Sequence, residues 1–203
     1  MPERLLEVGI ASSPAAGEER SGDLAVVELL ADGALVGAVD ALGHGARAAP
    51  AAEIAGTVLR RHPTESPHVL IERCHDALRG TRGVALSLAS FSSSRGTVTW
   101  VGVGNVEGRL MRPAPAGATT IASLTTAPGT VGSAPLPRLA AATVQVERGD
   151  TVLFATDGVG RDFADSLELA GTAQALAARL LEEHGRADDD ALVLVARVLE
   201  SAP

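Results

Sequence analysis

The apolar positions of this chain fall into short runs whose period changes along its length. Residues 24–30, Leu-Ala-Val-Val-Glu-Leu-Leu, have the length and β-branching of a strand. Ala31-Asp32-Gly33 supplies an Asp-Gly turn that returns the chain into residues 34–39 as the second arm of a hairpin. That arm ends on Asp40 and runs into Ala41-Leu42-Gly43-His44-Gly45. Asp23 opens one arm and Asp40 closes the other, so an antiparallel hairpin brings both carboxylates to one edge. Taken singly, an Asp at a strand end is most simply a turn residue.

After Gly45 the period becomes helical. Ala46, Ala49, Ala52, Ile54, Ala55, Val58 and Leu59 share one face, with Pro50 tolerable only near the first turn. Ser66-Pro67 reads as an N-cap followed by Pro at the first helical position. Leu70, Ile71, Cys74, Ala77 and Leu78 form that helix's stripe, and Gly80 closes it. Strand patterns return over residues 83–91, 97–103 and 106–111. The Pro- and Gly-rich residues 112–138 are expected to be mostly loop with short edge strands. Residues 142–146 and 151–155 predict two further strands, the latter a buried apolar run ending on Thr156-Asp157-Gly158. A helix over 172–184, a final strand over 191–199 and a short one over 5–10 complete the pattern. Strand pairs, then helices, then more strands without alternation predict an α+β fold.

Composition narrows this further. With 203 residues, 46% of them hydrophobic, residues 1–203 suit a single domain with a sizeable core. A net charge of -8 without a basic block argues against nucleic acid and anionic membrane partners. Every basic residue is Arg, which excludes a lysine nucleophile or Schiff base. Cys74, the sole cysteine, leaves no disulfide framework and points to a reducing compartment. The opening Met1-Pro2-Glu3-Arg4-Leu5-Leu6 has no signal-peptide core, and no apolar run approaches the ~20 residues of a membrane span. The expectation is a soluble cytoplasmic protein.

Asp23, Asp40, Asp157 and the run Asp188, Asp189, Asp190 all sit at strand ends beside glycine-containing or acidic turns. Hard divalent cations prefer such carboxylate and carbonyl oxygens. Other chemistries fail on inspection. A cysteine phosphatase loop needs Arg six positions after Cys74, where Gly80 stands, so Cys74 reads as a core thiol. The glycines at 102, 104 and 108 are spaced one residue too widely for a dinucleotide fingerprint and lie between strands. His44 reads as a turn or solvent-facing residue ahead of a general acid. His62, His68, His75 and His184 lack paired ligand spacing and read as surface or helix-end residues.

Ser21-Gly22-Asp23, Val39-Asp40-Ala41-Leu42-Gly43-His44-Gly45, Phe154-Ala155-Thr156-Asp157-Gly158-Val159 and Asp188-Asp189-Asp190-Ala191 together resemble the PPM (PP2C-type) serine/threonine phosphatases, within them the SpoIIE-like bacterial branch. The Gly104-Asn105 and Gly149-Asp150 turns fit that branch, and the resemblance spans residues 23–199. It implies a four-layer α-β-β-α sandwich with two antiparallel sheets flanked by helices. It implies two divalent ions, Mn²⁺ or Mg²⁺, and attack on phosphorus by a metal-bridging water without a phosphoenzyme. Asp40 would bridge both ions, the Ala41 carbonyl would contact the first, Asp157 and Asp189 would complete the second, and Asp23 would act through a metal-bound water. Asp188 and Asp190 remain rivals to Asp189. A chain without an appended sensory module is most similar to the stand-alone, RsbX-like members. Their substrates are phosphorylated STAS-domain proteins, stressosome scaffold or antagonist. Two departures, Ala41 where the family has Gly and Leu192 where it has a hydroxyl, keep open a weakly active or inactive binding module. A phosphatase of an anti-anti-sigma factor is the other alternative.

Overall fold

The computed structural model describes residues 5–115, 117–133, 135–165 and 167–199. The segment Met1 to Arg4, read above for the lack of a signal sequence, lies outside the described residues. The strands are β1 (Leu6–Ser13), β2 (Asp23–Leu30), β3 (Gly33–Ala41), β4 (Val84–Ser92), β5 (Thr97–Val103), β6 (Glu107–Ala114), β7 (Gly117–Ser123), β8 (Ala142–Gln145), β9 (Thr151–Ala155) and β10 (Ala191–Val198). The helices are α1 (Gly45–Arg61), α2 (Pro67–Ala77) and α3 (Ala173–His184).

Two five-stranded antiparallel sheets result, ordered β1-β10-β9-β6-β7 and β2-β3-β4-β5-β8. The sequence of β3 shows why they stack. Ala34, Val36 and Ala38 enter the core between the sheets, whereas Leu35, Val39 and Ala41 enter the core beneath α1 and α2. A strand buried on both faces reads as a continuous apolar run, and a slip of one residue would exchange its two faces. On the other sheet, Val152, Phe154, Leu192 and Leu194 face the inter-sheet core, while Leu153, Val193 and Val195 pack against α3. The order of layers is therefore α-β-β-α, the α+β sandwich expected.

Helix ends follow local chemistry. The Ser66 side chain accepts from the Val69 N–H and Thr172 accepts from the Ala175 N–H, each satisfying a first-turn donor. Pro50 lies inside α1, past its first turn, on an exposed position where its ring meets solvent. Cys74 is buried, and burial pushes its thiol up to about 12. None of the described helices is long and apolar enough to cross a membrane.

Residues 112–138 are mostly loop with an edge strand, as expected: β6 runs on through Pro113, and β7 pairs with it at the sheet edge. Proline is tolerated there because β9 pairs with β6 only as far as Met111, which leaves that side of β6 outside the ladder at Pro113. One expectation needs correction: His75 stands at a helix end, in the last turn of α2, but not on the surface. It is buried, and its Nδ1 accepts the Gly132 N–H at 3.1 Å, tying α2 to the segment after β7.

Candidate metal centre at the open end of the sandwich

In β2 and β3, Asp23 stands directly opposite Asp40, the register of a two-residue turn at Ala31-Asp32 with Gly33 already in β3. Both continue the parity of residues facing the inter-sheet core, so both carboxylates emerge between the sheets where the apolar side chains stop. From the other sheet, β9 ends before Asp157, and β10 is preceded by Asp189 and Asp190. Asp40, Asp157 and Asp189 line one cleft of about 210 Å³, together with Leu42, Gly43, His44 and Asn105.

Asp23 lies just behind this cleft, buried, with its Oδ2 accepting the Thr156 hydroxyl at 2.6 Å. Burial pushes its carboxyl up to about 7; the Thr156 hydrogen bond opposes the rise, and the charges of Asp190, Asp157 and Asp189 reinforce it. Asp40 is raised well above the usual carboxylate range as well. Burial is the main cause, followed by the charges of Asp23, Asp157 and Asp189 and a carboxyl–carboxyl hydrogen bond with Asp157.

The three neighbouring acids before β10 have separate fates. Asp188 is exposed and paired with Arg186 through contacts of 3.1 and 3.0 Å, which hold its carboxyl below the usual range. Asp190 is buried and turned inward. Its Oδ1 accepts the Ala15 N–H at 2.8 Å, and its Oδ2 accepts those of Gly22 at 2.6 Å and Gly45 at 2.8 Å. Only Asp189 faces the cleft. Asp190 thereby fastens the loop after β1, the approach to β2 and the start of α1 to one point beside the cleft.

Ala41 remains within β3, opposite Val84, so its backbone is extended and demands no glycine. The left-handed positions of this turn are Gly43, at φ 83°, and Gly45, at φ 67°. A Cβ at Gly45 would also lie 2.1 Å from the Glu18 carboxyl carbon. Leu192, the second departure, is buried in the inter-sheet core, and its N–H donates to the Thr156 hydroxyl. His44 precedes α1 and lines the cleft half-exposed, its Nδ1 3.7 Å from Glu18.

Asn105 joins the site although the sequence motifs do not mark it as a ligand. It occupies the β5–β6 turn, and its Nδ2 donates to Asp157 Oδ2 at 2.6 Å. The available signal was the glycine–asparagine turn, which is equally a common hairpin feature.

Oxygen-rich donors and mutually repelling carboxylates fit a hard divalent cation, whose charge would relieve that repulsion. Among the described residues no three His, Cys, Asp or Glu side chains close into a ready-made cage. Water would therefore complete any coordination shell, as it does readily around Mg²⁺.

The family model for Stage II sporulation protein E (SpoIIE) matches residues 31–199. A solved chain described in work on the bacterial stressosome as a modular system adapted to control secondary messenger signalling is 31% identical, with a TM-score of 0.83 over 96% of this chain and 100% of its own. RsbX in complex with magnesium is 18% identical, with a TM-score of 0.82 over 97% of this chain and 96% of its own. The PP2C phosphatase domain of the cell fate determinant SpoIIE from Bacillus subtilis, solved with a fragment of its regulatory domain, is 18% identical, with a TM-score of 0.74 over 98% of this chain and 63% of its own. The last two likenesses are of fold. No curated protein matches the sequence.

Proposed function

The chain belongs to the SpoIIE family of PP2C-type phosphatases, and on that premise we propose that it is a metal-dependent protein serine/threonine phosphatase acting on phosphorylated STAS-domain proteins of stress signalling. The observation that carries the reading is the convergence of Asp40, Asp157 and Asp189, from three separate strand ends, on one open cleft. The stressosome context of the 31%-identical chain supports the substrate class, and the magnesium complex of RsbX supports the cation.

Asp40, Asp157 and Asp189 would hold Mn²⁺ or Mg²⁺, with the Ala41 carbonyl as a further oxygen and Asp23 reaching the site through water. When bound, such ions lower the pKa of water and offset charge on a phosphoryl group. The chain's own residues prepare that site. Asn105 orients the Asp157 carboxylate, and Thr156 holds Asp23 with its hydroxyl. Asp190 fixes the backbone from which Asp189 projects. The departures at Ala41 and Leu192 remove no carboxylate from the cleft.

The decisive experiment is phosphate release from a phosphoserine-bearing STAS protein with Mn²⁺, using Asp40→Ala and Asp157→Ala as controls. The wild type is expected to turn over only with the metal. A folded wild type that releases no phosphate in excess Mn²⁺ overturns the reading.

A second reading, a binding module without turnover, rests on the two departures from the family motifs, Ala41 and Leu192. Calorimetric titration with Mn²⁺ separates the two. A folded chain with no measurable affinity for Mn²⁺ supports the module and sinks the phosphatase.

A further inference from the structure

Beside the carboxylate cleft lies a second, wider depression of about 600 Å³, lined by Glu18, Gly43, His44, Ala46, Arg47 and Arg82. It shares Gly43 and His44 with the cleft, so the two form one continuous surface with an acidic half and a basic half. We propose that this basic lip, carried by Arg47 and Arg82, receives acidic side chains that flank the phosphoserine of a protein substrate. The inference rests on the phosphatase reading for the identity of its ligand, and it names a recognition element of that substrate.

Charge and placement argue for it. The chain carries a net charge of -8, so two arginines beside the site run against the charge of the molecule. Many of its arginines are neutralised by nearby acids, as Arg20 is by Glu53 and Arg73 by Glu65. Arg47 and Arg82 pair with no carboxylate among the described residues, and both are exposed. The acid among the lining residues, Glu18, already accepts from the Ala46 N–H at 3.3 Å and lies 3.7 Å from His44. The lip therefore carries two guanidinium groups against the single carboxylate of Glu18.

Arg82 is also held in place. Its Nη1 donates to the Leu42 carbonyl at 2.6 Å, which anchors one arm of the guanidinium and leaves its other donors unengaged. The anchoring depends on Gly43, where a Cβ would lie 2.5 Å from that nitrogen. A fixed planar fork suits bidentate recognition of a carboxylate. Asp40, Asp157 and Asp189 repel such a group from the cleft itself, so acidic flanks and phosphoserine are sorted onto adjoining halves of one surface.

The test is binding, which needs no turnover. Fluorescein-labelled peptides carrying a non-hydrolysable phosphonate analogue of phosphoserine are made with Asp/Glu, Ala or Lys flanks, and anisotropy is measured with Mn²⁺ present. Wild type is expected to bind the acidic peptide about five- to tenfold more tightly than the Ala peptide, the scale of two exposed ion pairs. Arg47→Glu with Arg82→Glu should reverse the order in favour of the Lys peptide. Arg95→Glu, in the hairpin at the opposite end of β4, should leave the preference unchanged. Ratios between peptides are taken within each protein, so a partly unfolded variant lowers every signal without altering the ratio. Equal affinity of wild type for all three peptides overturns the lip, as does a preference that survives the double charge reversal. A wild type that prefers the acidic peptide yet releases no phosphate from its phosphoserine counterpart leaves the lip standing and defeats the phosphatase reading.

Discussion

β9 carries an aspartate just outside each end, and the two have opposite surroundings. Asp150, before the strand, is fully buried. Arg112 donates to both its oxygens at 2.7 Å, and the Glu147 N–H adds a third donor at 2.8 Å. Asp157, after the strand, is exposed, and its neighbours are the Asn105 amide and further carboxylates. A carboxylate ringed by donors holds the architecture together. Carboxylates gathered without a cation cost stability, and a fold that keeps them there has a use for them. The same contrast recurs between neighbours, since Asp190 is saturated by three backbone N–H groups while Asp189 opens onto the cleft.

That contrast can be broken from either side. The largest effect belongs to the cleft: Asp40→Ala or Asp157→Ala should lower phosphate release by about 10³-fold or more with the fold retained. Phosphate release measured beside circular dichroism checks it, and a folded variant with wild-type rate places the chemistry elsewhere. At the other end of β9, Arg112→Met leaves Asp150 buried without its partner. Urea denaturation should show a loss of about 3–5 kcal/mol, and a loss below about 1 kcal/mol would make the pair incidental. Asp190→Ala strands the N–H groups of Ala15, Gly22 and Gly45, and should cost about 3 kcal/mol in the same assay.

A smaller effect lies in pH. The Asp23 carboxyl is raised from 3.8 to about 7 in the folded chain, and Asp40 is raised in the same direction. A raised acid favours folding most when protonated in both states' range. Its contribution is complete below about pH 4 and is lost as pH climbs through the folded values. The chelated protein should therefore lose on the order of 1–3 kcal/mol between pH 5 and pH 8. Asp23→Asn with Asp40→Asn should flatten that slope, and added Mn²⁺ should reverse it; a slope unchanged by both denies the mutual repulsion. The smallest effect is at Asn105. Asn105→Ala frees the Asp157 carboxylate and should weaken Mn²⁺ binding about tenfold, read by calorimetry.

Much of this frame was legible residue by residue. The hairpin itself was legible at Ala31-Asp32-Gly33, but its register was not: a turn centred on Asp32-Gly33 would pair Ala31 with Ala34 and Asp23 with Leu42, whereas Leu30 pairs with Gly33 and Asp23 faces Asp40. Ser66 marked its helix start because a cap is a contact within four residues. The buried run of β9 and the helical stripe through Cys74 were equally local signals. An edge strand was expected within residues 112–138, but the bounds of β7 were hidden by the prolines and glycines around it, since pairing with β6 outweighs weak local propensity. The burial of His75 was hidden for a similar reason, because its partner Gly132 lies far along the chain.

By itself, then, the order of residues determined the elements, the α+β class and the motif carboxylates, because turn chemistry and hydrophobic period act over a few residues. Tertiary structure decided which acid does what. Asp188, Asp189 and Asp190 are indistinguishable as letters, yet one meets Arg186, one meets the cleft and one meets three buried N–H groups. Arg186 is only two residues from Asp188, but the three N–H groups come from the loop after β1, the approach to β2 and the start of α1, and only packing the two sheets face to face brings them within reach of Asp190.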